Sequence, residues 1–458
     1  MRPVTLLDIA RWTEGRLIGA DLTVTAISTD TRSIAPGALF VALRGEHFDA
    51  HAFIAAAEAG GAAAVMVSRP VETTLPQVHV ADTGEALGEL AAGLQQGRPA
   101  VVLALTGSNG KTSVKSLLYG MLSRAGRAYV NPGNLNNEIG LPLAVIGAPE
   151  DARFAVYEMG AGKPGDIAYL CSIVTPQVAL VNNVAAAHIE RLGSLSGIAE
   201  TKGAIYEALP DDGIAVVNAD DTYAPLFVQR IGNRRVLRFG IEQDADVRAR
   251  DLSLDANGSR FLLLSPMGRA EIHLPLPGRH GVMNALAAAA MALAAGVDFE
   301  AIREGLQCAQ PVKGRLRAHP LAHGNVLIDD SYNANPGSLA AAIATLAGSG
   351  EAWLVLGEMR ELGAAGPALH AEAGHQAQAA GLKKLWTVGP LAAEASRAFG
   401  AGGHHFDTQE ALIGALREAL AQATGVRCLV KGSRGSAMDA VVTALLVAPG
   451  TGEDDHAA

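Results

Sequence analysis

At 458 residues the chain is too long for one ordinary hydrophobic core, and two or three domains are expected. Hydrophobic residues at 49% and charged residues at 18% exclude a disordered chain. A net charge of -10 argues against a general nucleic-acid binder, which needs clustered Lys and Arg, but leaves a nucleotide pocket open because that needs only a few cations.

Residues 1–84 mix short strands and helices, with buried strands expected at 65–67 and 78–80. The spacing of Leu87, Leu90 and Leu94 predicts a helix over 82–97, closed by Gly97, Arg98 and Pro99. From 100 the pattern becomes strand, turn, helix. A continuous apolar strand at 101–105 is followed by a glycine loop and a helix at 113–125. Further apolar strands at 154–157, 178–181 and 214–217 predict a parallel sheet covered by helices. Residues 251–276 alternate instead, and Asn257-Gly258 predicts an antiparallel hairpin there. A helix at 282–295 closes this unit. Strands at 326–328, 353–356, 385–388 and 428–430 alternate with helices after Pro311, as in a smaller Rossmann-like domain. The fold class is α/β with three domains, divided at 1–84, 85–311 and 312–458, and the polar tail from 449 is expected to fray.

Cys171, Cys308 and Cys428 lie far apart without CxxC spacing and read as buried thiols in a reducing compartment. Residues 1–12 lack the apolar region of a signal peptide. The Ala-rich run 285–296 falls short of the roughly 20 residues that span a bilayer. A cytosolic protein without membrane insertion is expected.

The strongest local feature is TGSNGKT, residues 106–112, between a buried strand and a helix. Backbone N–H groups of Gly107, Ser108, Asn109, Gly110 and Ser113, with the helix N-terminus, suit an anion. Lys111 can reach terminal phosphates and the Thr112 hydroxyl can bind Mg²⁺. Leu105 stands where the full motif has an earlier glycine, so an ordinary strand–helix turn shares the string; the context favours ATP. Glu158 ends the strand at 154–157, at the sheet edge where ligands of such folds collect, and can bind the same metal. His188 follows the strand at 178–181 and is either a structural histidine or a metal or phosphate contact. Lys202 lies further on, in TKGAIY, and its chemistry alone leaves it ambiguous.

Asn284 sits near the start of the helix at 282–295, and Arg315 and Arg317 follow the boundary at Pro311, where an arginine can swing onto a phosphate. DDSYNANP (residues 329–336), GEMRELG (357–363) and KGSRGS (431–436) each follow a strand and are expected along one edge of the last domain. Asn335 and Pro336 explain themselves as a helix cap and first turn. Asp330, Tyr332 and Asn333 do not, and suggest a site. These readings leave a kinase, an ATPase, a ligase and a non-catalytic nucleotide binder open.

Taken together the strings resemble the Mur ligase family over nearly the whole chain: TGSNGKT, GNLNNEIGLP (133–142), YEMGA, NNVAAAHIERLGS, TKGAIY, PGRHGVMNALAA, KGRLR, DDSYNANP, LGEMRELG and VKGSR. The resemblance implies a monomeric, cytoplasmic ligase with ATP and Mg²⁺ as cofactors. Its expected reaction adds D-alanyl-D-alanine to UDP-N-acetylmuramoyl-tripeptide through an acyl phosphate. Lys111, Glu158, His188 and Lys202 are then the catalytic set. Thr112, Glu158, His188 and a carbamylated Lys202 would serve metal ions. Asn284, Arg315 and Asp330 would contact adenine, phosphate and ribose. Asn136, Asn137 and Glu138 would line the muramoyl-peptide path, with Tyr332 and Asn333 near the substrates. The segment 28–54 resembles a UDP-sugar holder, with Ser28, Thr29, Asp30, Arg32 and Phe48 as its contacts. Two departures bear on detail. Asp49-Ala50-His51 replaces Asp-Gly-His, and the DNPR string of the tripeptide-forming branch is absent.

Overall fold

The computed structural model describes residues 1–45, 48–186, 189–255, 257–348 and 350–447. The tail from 449 lies outside the described residues.

Three main sheets follow one another along the chain. The first has five strands in the order Arg16–Ile18, Gln77–His79, Ala64–Val67, Leu39–Val41 and Ile27–Ser28, parallel except where Arg16–Ile18 meets Gln77–His79. The helix Thr83–Gln95 begins with Asp82 as its cap, the Asp82 carboxylate accepting from the N–H groups of Gly84 and Glu85. Its leucines face a core that runs without a break from the first unit into one face of the central sheet.

The central sheet has nine strands. Val101–Thr106 lies between Phe154–Glu158 and Val178–Val181, all parallel. These strands are buried on both faces, which explains why they read as continuous apolar runs rather than alternating ones. Register pairs Leu105 with Glu158 and Thr106 with Val181, so the glycine loop, the carboxylate and the loop after 181 leave the sheet at one level. The chain steps outward from Val101–Thr106 to Ala128–Val130, returns to Phe154–Glu158, then crosses to Val178–Val181. The crevice at such a reversal is where open α/β sheets take ligands.

Where alternation predicts one hairpin over 251–276, the structure has two. Val247–Leu254, Ser259–Ser265 and Gly268–Leu274 form a meander that extends the parallel sheet from Arg235–Gly240. The Asp255 carboxylate accepts from Asn257 N–H and Gly258 N–H, so a side chain closes the first turn. Cys308 also departs from expectation. It caps the end of the helix Phe299–Gln307 and is exposed, because the chain leaves the central unit there. Cys171 and Cys428 are buried, and desolvation pushes both thiols up to about 12.

The last sheet has six strands, with Arg317–Pro320 antiparallel at one edge. Val326–Asp330, Arg427–Lys431 and Ala352–Leu356 are adjacent and parallel, and register aligns Asp330, Lys431 and Leu356 at their ends. The three loops expected along one edge therefore start side by side.

Candidate active site

The loop of TGSNGKT is built by two glycines. Gly110 has φ 79 and caps the helix Lys111–Ala125, and a Cβ on it would lie 2.3 Å from Asn284 Oδ1. Gly107 has φ 153, and a Cβ there would lie 3.0 Å from Asn182 Cβ. Both positions need glycine for backbone angle and for close approach.

The donors differ from the simple expectation of a backbone cradle. Ser108 N–H donates to Asn183 O, and Asn109 N–H donates to Asn183 Oδ1 at 2.8 Å. Those two amides hold the loop to the strand end at 182–185. No side chain caps the helix at Gly110, so the first-turn amides of Lys111, Thr112 and Ser113 are the ones left for an anion. Lys111 Nζ bridges the loop by donating to Gly107 O at 2.7 Å. Burial lowers its pKa; Glu158 opposes that shift and Arg315 adds to it. A half-buried ammonium beside open amides is a site that favours negative charge.

Glu158 is 4% exposed and surrounded by donors. Thr112 Oγ1 donates to its Oε2 and Asn136 Nδ2 to its Oε1, each at 3.0 Å. Lys115 Nζ stands 3.3 Å from Oε2 and also donates to the carbonyls of Asn131 and Gly133. Burial alone would push the carboxyl up. Lys111, Lys115, the Thr112 hydroxyl and Arg315 together outweigh it, and the net shift is down. One cation at the Lys115 distance is worth roughly 5 kcal/mol of attraction at an effective dielectric of about 20, so Glu158 stays ionised.

Lys202, on the helix Leu195–Glu207, is 2% exposed and lines the same cavity. Burial, with Lys111 nearby, brings its pKa down to about 7. His188 lies outside the described residues.

The C-terminal unit completes the cavity, whose volume is about 1180 Å³. Arg315 Nη2 donates to Thr112 Oγ1 at 3.0 Å, and its guanidinium lies 4.4 Å over the Tyr332 ring. Asp330 accepts from Lys431 Nζ at 2.5 Å, and Lys431 also donates to Asn333 O. Asn333 Oδ1 accepts from Arg434 N–H, and Ser433 Oγ donates to Ala334 O. Arg360 N–H donates to Ser433 Oγ, tying in the loop after Leu356. Arg317 is exposed on the edge strand and has no place in the cavity.

Asn284 is buried under the loop with its Oδ1 accepting from Asn182 Nδ2 at 3.0 Å. Asn136, Asn137 and Glu138 all line the cavity, with distinct tasks. Asn136 holds Glu158, Asn137 Oδ1 accepts from Gly140 N–H, and Glu138 is exposed.

The residues of the first unit are not brought to this cavity as described. Arg32 forms a two-toothed ion pair with Asp30, and Ser28 Oγ donates to Asp30 O. The Arg32 hydrogen bonds bring the Asp30 pKa down to about 2. Thr29 precedes this turn, and Phe48 is exposed and stacked on Phe53 at 5.5 Å. Ala50 is buried in a short 3₁₀ turn capped by Asp49 without a positive φ, so glycine is not needed there. His51 Nε2 accepts from Ser68 N–H, which directs its Nδ1 toward Asp49 at 2.6 Å.

Sequence reasoning missed Lys115 and Asn131, and it placed Asn182, Asn183 and Lys431 inside site-bearing strings without giving them a role. Lys115 had a signal: it follows Lys111 by one helical turn and shares its face. Asn131 had none, since its amide is placed by tertiary packing, donating to Glu158 O and accepting from Glu158 N–H.

Family models match three stretches: the Mur ligase family catalytic domain over 23–95, the Mur ligase middle domain over 105–292, and the Mur ligase glutamate ligase domain over 314–434. The chain is 46% identical over 447 residues to the UDP-N-acetylmuramoyl-tripeptide–D-alanyl-D-alanine ligase of Escherichia coli, covering 97% of this chain and 99% of that one. The Bacillus subtilis enzyme of the same name is 34% identical, covering 97% and 98%. Among solved structures, MurF from Acinetobacter baumannii superposes with a TM-score of 0.93 at 34% identity, covering 97% and 99%. MurF from Thermotoga maritima in complex with ADP gives 0.82 at 27% identity, covering 92% and 96%.

Proposed function

Because the chain belongs to the Mur ligase family, we propose that it joins D-alanyl-D-alanine to UDP-N-acetylmuramoyl-tripeptide at the expense of ATP, a step of peptidoglycan precursor synthesis. One observation carries the reading at the level of mechanism. Arg315, from the C-terminal unit, reaches Thr112 beside Lys111, so cations from two domains converge at one end of the phosphate loop.

Both reactants of the first step are anions, and their approach needs fixed positive charge. The loop amides and Lys111 bind the phosphates. A tripeptide carboxylate oxygen attacks the γ-phosphorus, and the bond to ADP breaks. The dipeptide amine then attacks the acyl carbon, phosphate leaves, and the amine loses a proton to give the amide. Arg315 and Lys111 stabilise the charge that builds on the transferred group. Asp330, held by Lys431 at the rim, suits a ribose hydroxyl, and Tyr332 supports Arg315.

Mg²⁺ fits the donor set, which is oxygen-rich as a hard cation requires. Thr112 Oγ1 and Glu158 stand 3.0 Å apart, but the described residues contain no group of three or more His, Cys, Asp or Glu for a metal. Lys202 would supply the missing donor. With a pKa brought down to about 7 its amine is substantially neutral, adds to CO₂ and releases a proton, becoming an anionic oxygen donor. Thr112, Glu158 and the Lys202 carbamate would hold the metal, which would neutralise charge between phosphate and carboxylate; His188 belongs to the same set by resemblance.

A monomer is proposed, as the family resemblance implies. Among the described residues no helix is long and apolar enough to cross a membrane, and a cytoplasmic location is proposed from the family resemblance. Ser28, Thr29, Asp30, Arg32 and Phe48 are proposed to hold the UDP end, outside the reaction cavity. Purified protein should release phosphate from ATP only when both UDP-muramoyl-tripeptide and D-alanyl-D-alanine are present. Equal turnover with a single free amino acid would overturn the assignment in favour of a sister ligase.

A further inference from the structure

Asn109 stands in the middle of the phosphate loop, yet its main chain is fully occupied. Its N–H donates to Asn183 Oδ1, and its carbonyl accepts from Asn182 Nδ2 at 2.9 Å and Asn183 Nδ2 at 3.1 Å. The side chain is aimed out of the central unit, where Asn335 Nδ2 donates to Asn109 Oδ1 at 2.7 Å.

Asn335 belongs to the C-terminal unit, and its amide is not free to turn over. Its Oδ1 accepts from Ser338 N–H at 2.9 Å, and its own N–H donates to Ser338 Oγ at 3.1 Å, a capping box for the helix Pro336–Leu346. With the oxygen used by the cap, only the amino group is left for Asn109. The first turn of this helix lies against the loop: a Cβ on Gly337 would come into ordinary contact with Asn109 Nδ2 at 3.4 Å and Ala185 Cβ at 3.5 Å. The same unit supplies Arg315 to Thr112, so contacts from one domain fall on both sides of Lys111.

We propose that the Asn109–Asn335 amide pair is a latch that seats the C-terminal domain on the phosphate loop, and that Asn335 is a positioning residue for Arg315. Asn335 touches no reacting atom. It acts by selecting the domain arrangement in which the Arg315 guanidinium stands over the phosphate end of the loop. The proposal rests on the reading that this loop carries ATP. A single neutral hydrogen bond shifts such an equilibrium by about tenfold or less, so the latch tunes closure rather than creating it.

The test uses the full chain and exploits the two jobs of Asn335. Asn335→Ser keeps a good helix cap but is too short to reach Asn109. Asn335→Asp keeps the cap and accepts from Asn109 Nδ2 once the Asn109 amide, which is not pinned by a cap, turns over. Small-angle scattering with a non-hydrolysable ATP analogue reads closure, and kcat/KM for ATP reads its consequence. Asn335→Ser is expected to lower kcat/KM about fivefold and to leave a larger, more open particle. Asn335→Asp should recover to within about twofold of the parent. In an Asn109→Asp background the same Asn335→Asp change should instead lower kcat/KM about tenfold, because two carboxylates then face each other. Equal values for the Ser and Asp variants, or an equal effect of Asn335→Asp in both backgrounds, would overturn the latch. If Asn335→Ser loses its fold by thermal melting, the comparison of backgrounds still decides. The scattering arm needs no peptide substrate, so a wrong acceptor assignment would show as absent phosphate release in the parent while closure is still read.

Discussion

In the central unit Lys115, Glu158 and Lys202 are buried beside the half-buried Lys111, whereas in the first unit Asp30 and Arg32 pair in the open, the Arg32 side chain being 86% exposed. The same charge chemistry has different weight in the two places. In the cluster, burial weakens solvation and neighbouring charges shift the protonation of Glu158 and Lys202. At Asp30 and Arg32, solvent and salt screen the pair, so its contribution to stability is small, which leaves it available for the substrate-holding role proposed for it. The burial of a charge, more than its presence, separates the residues proposed for the reaction from those proposed for the substrate's far end.

The largest test of this contrast is Lys202→Ala. Turnover should fall about a thousandfold, the scale of losing one preorganised charge-stabilising group, with short carboxylic acids restoring part of it. Activity close to the parent would remove the carbamate. Next is Lys115→Met, which takes a cation away from the buried Glu158. Breaking buried pairs costs roughly 3–5 kcal/mol, and the low end is expected here because the Thr112 and Asn136 bonds to the carboxylate persist. Denaturant unfolding measures it, and a change below about 1 kcal/mol would show the pair to be solvated. At the surface, Arg32→Ala should raise KM for the UDP-linked substrate severalfold, by roughly 1 kcal/mol of binding, and leave kcat within about twofold. A fall in kcat equal to that of a buried-cluster variant would erase the distinction between the two regions.

Smaller effects sharpen it further. In CO₂-free buffer the folded Lys202 loses its proton near pH 7, while the unfolded lysine holds it to about 10.5. Between those values the unfolded chain binds more protons, so stability should rise with pH across that window. Lys202→Met should flatten this slope, and identical slopes would contradict a buried neutral amine. Thiol titration of the native protein should label Cys308 alone, with Cys171 and Cys428 reacting only after unfolding.

Much of the architecture is legible in one dimension because the strands at 101–105, 154–157 and 178–181 are buried on both faces and read as unbroken apolar runs. The meander over 247–274 was harder, since its second turn at Pro266 and Met267 lacks the Asn-Gly signal that marks the first. The phosphate loop was legible because its chemistry is local: glycine angles, a lysine and a helix start within seven residues. Lys115 was overlooked although one helical turn from Lys111, because a lone helix lysine resembles a solvated face until the strand end at Glu158 is placed opposite it.

The sequence by itself determined the α/β alternation, the phosphate loop and the order of the motifs, since periodicity, turn chemistry and short-range spacing are written within a few residues of one another. Only the tertiary structure decided which donors the loop keeps for an anion and which it uses on Asn183. It also decided that cations hold the Glu158 carboxyl down, that burial brings the Lys202 pKa to about 7, and that Arg315 and Asn335 arrive from another domain. Those properties depend on desolvation and on partners from dozens to more than two hundred residues away, and neither is a property of a local string.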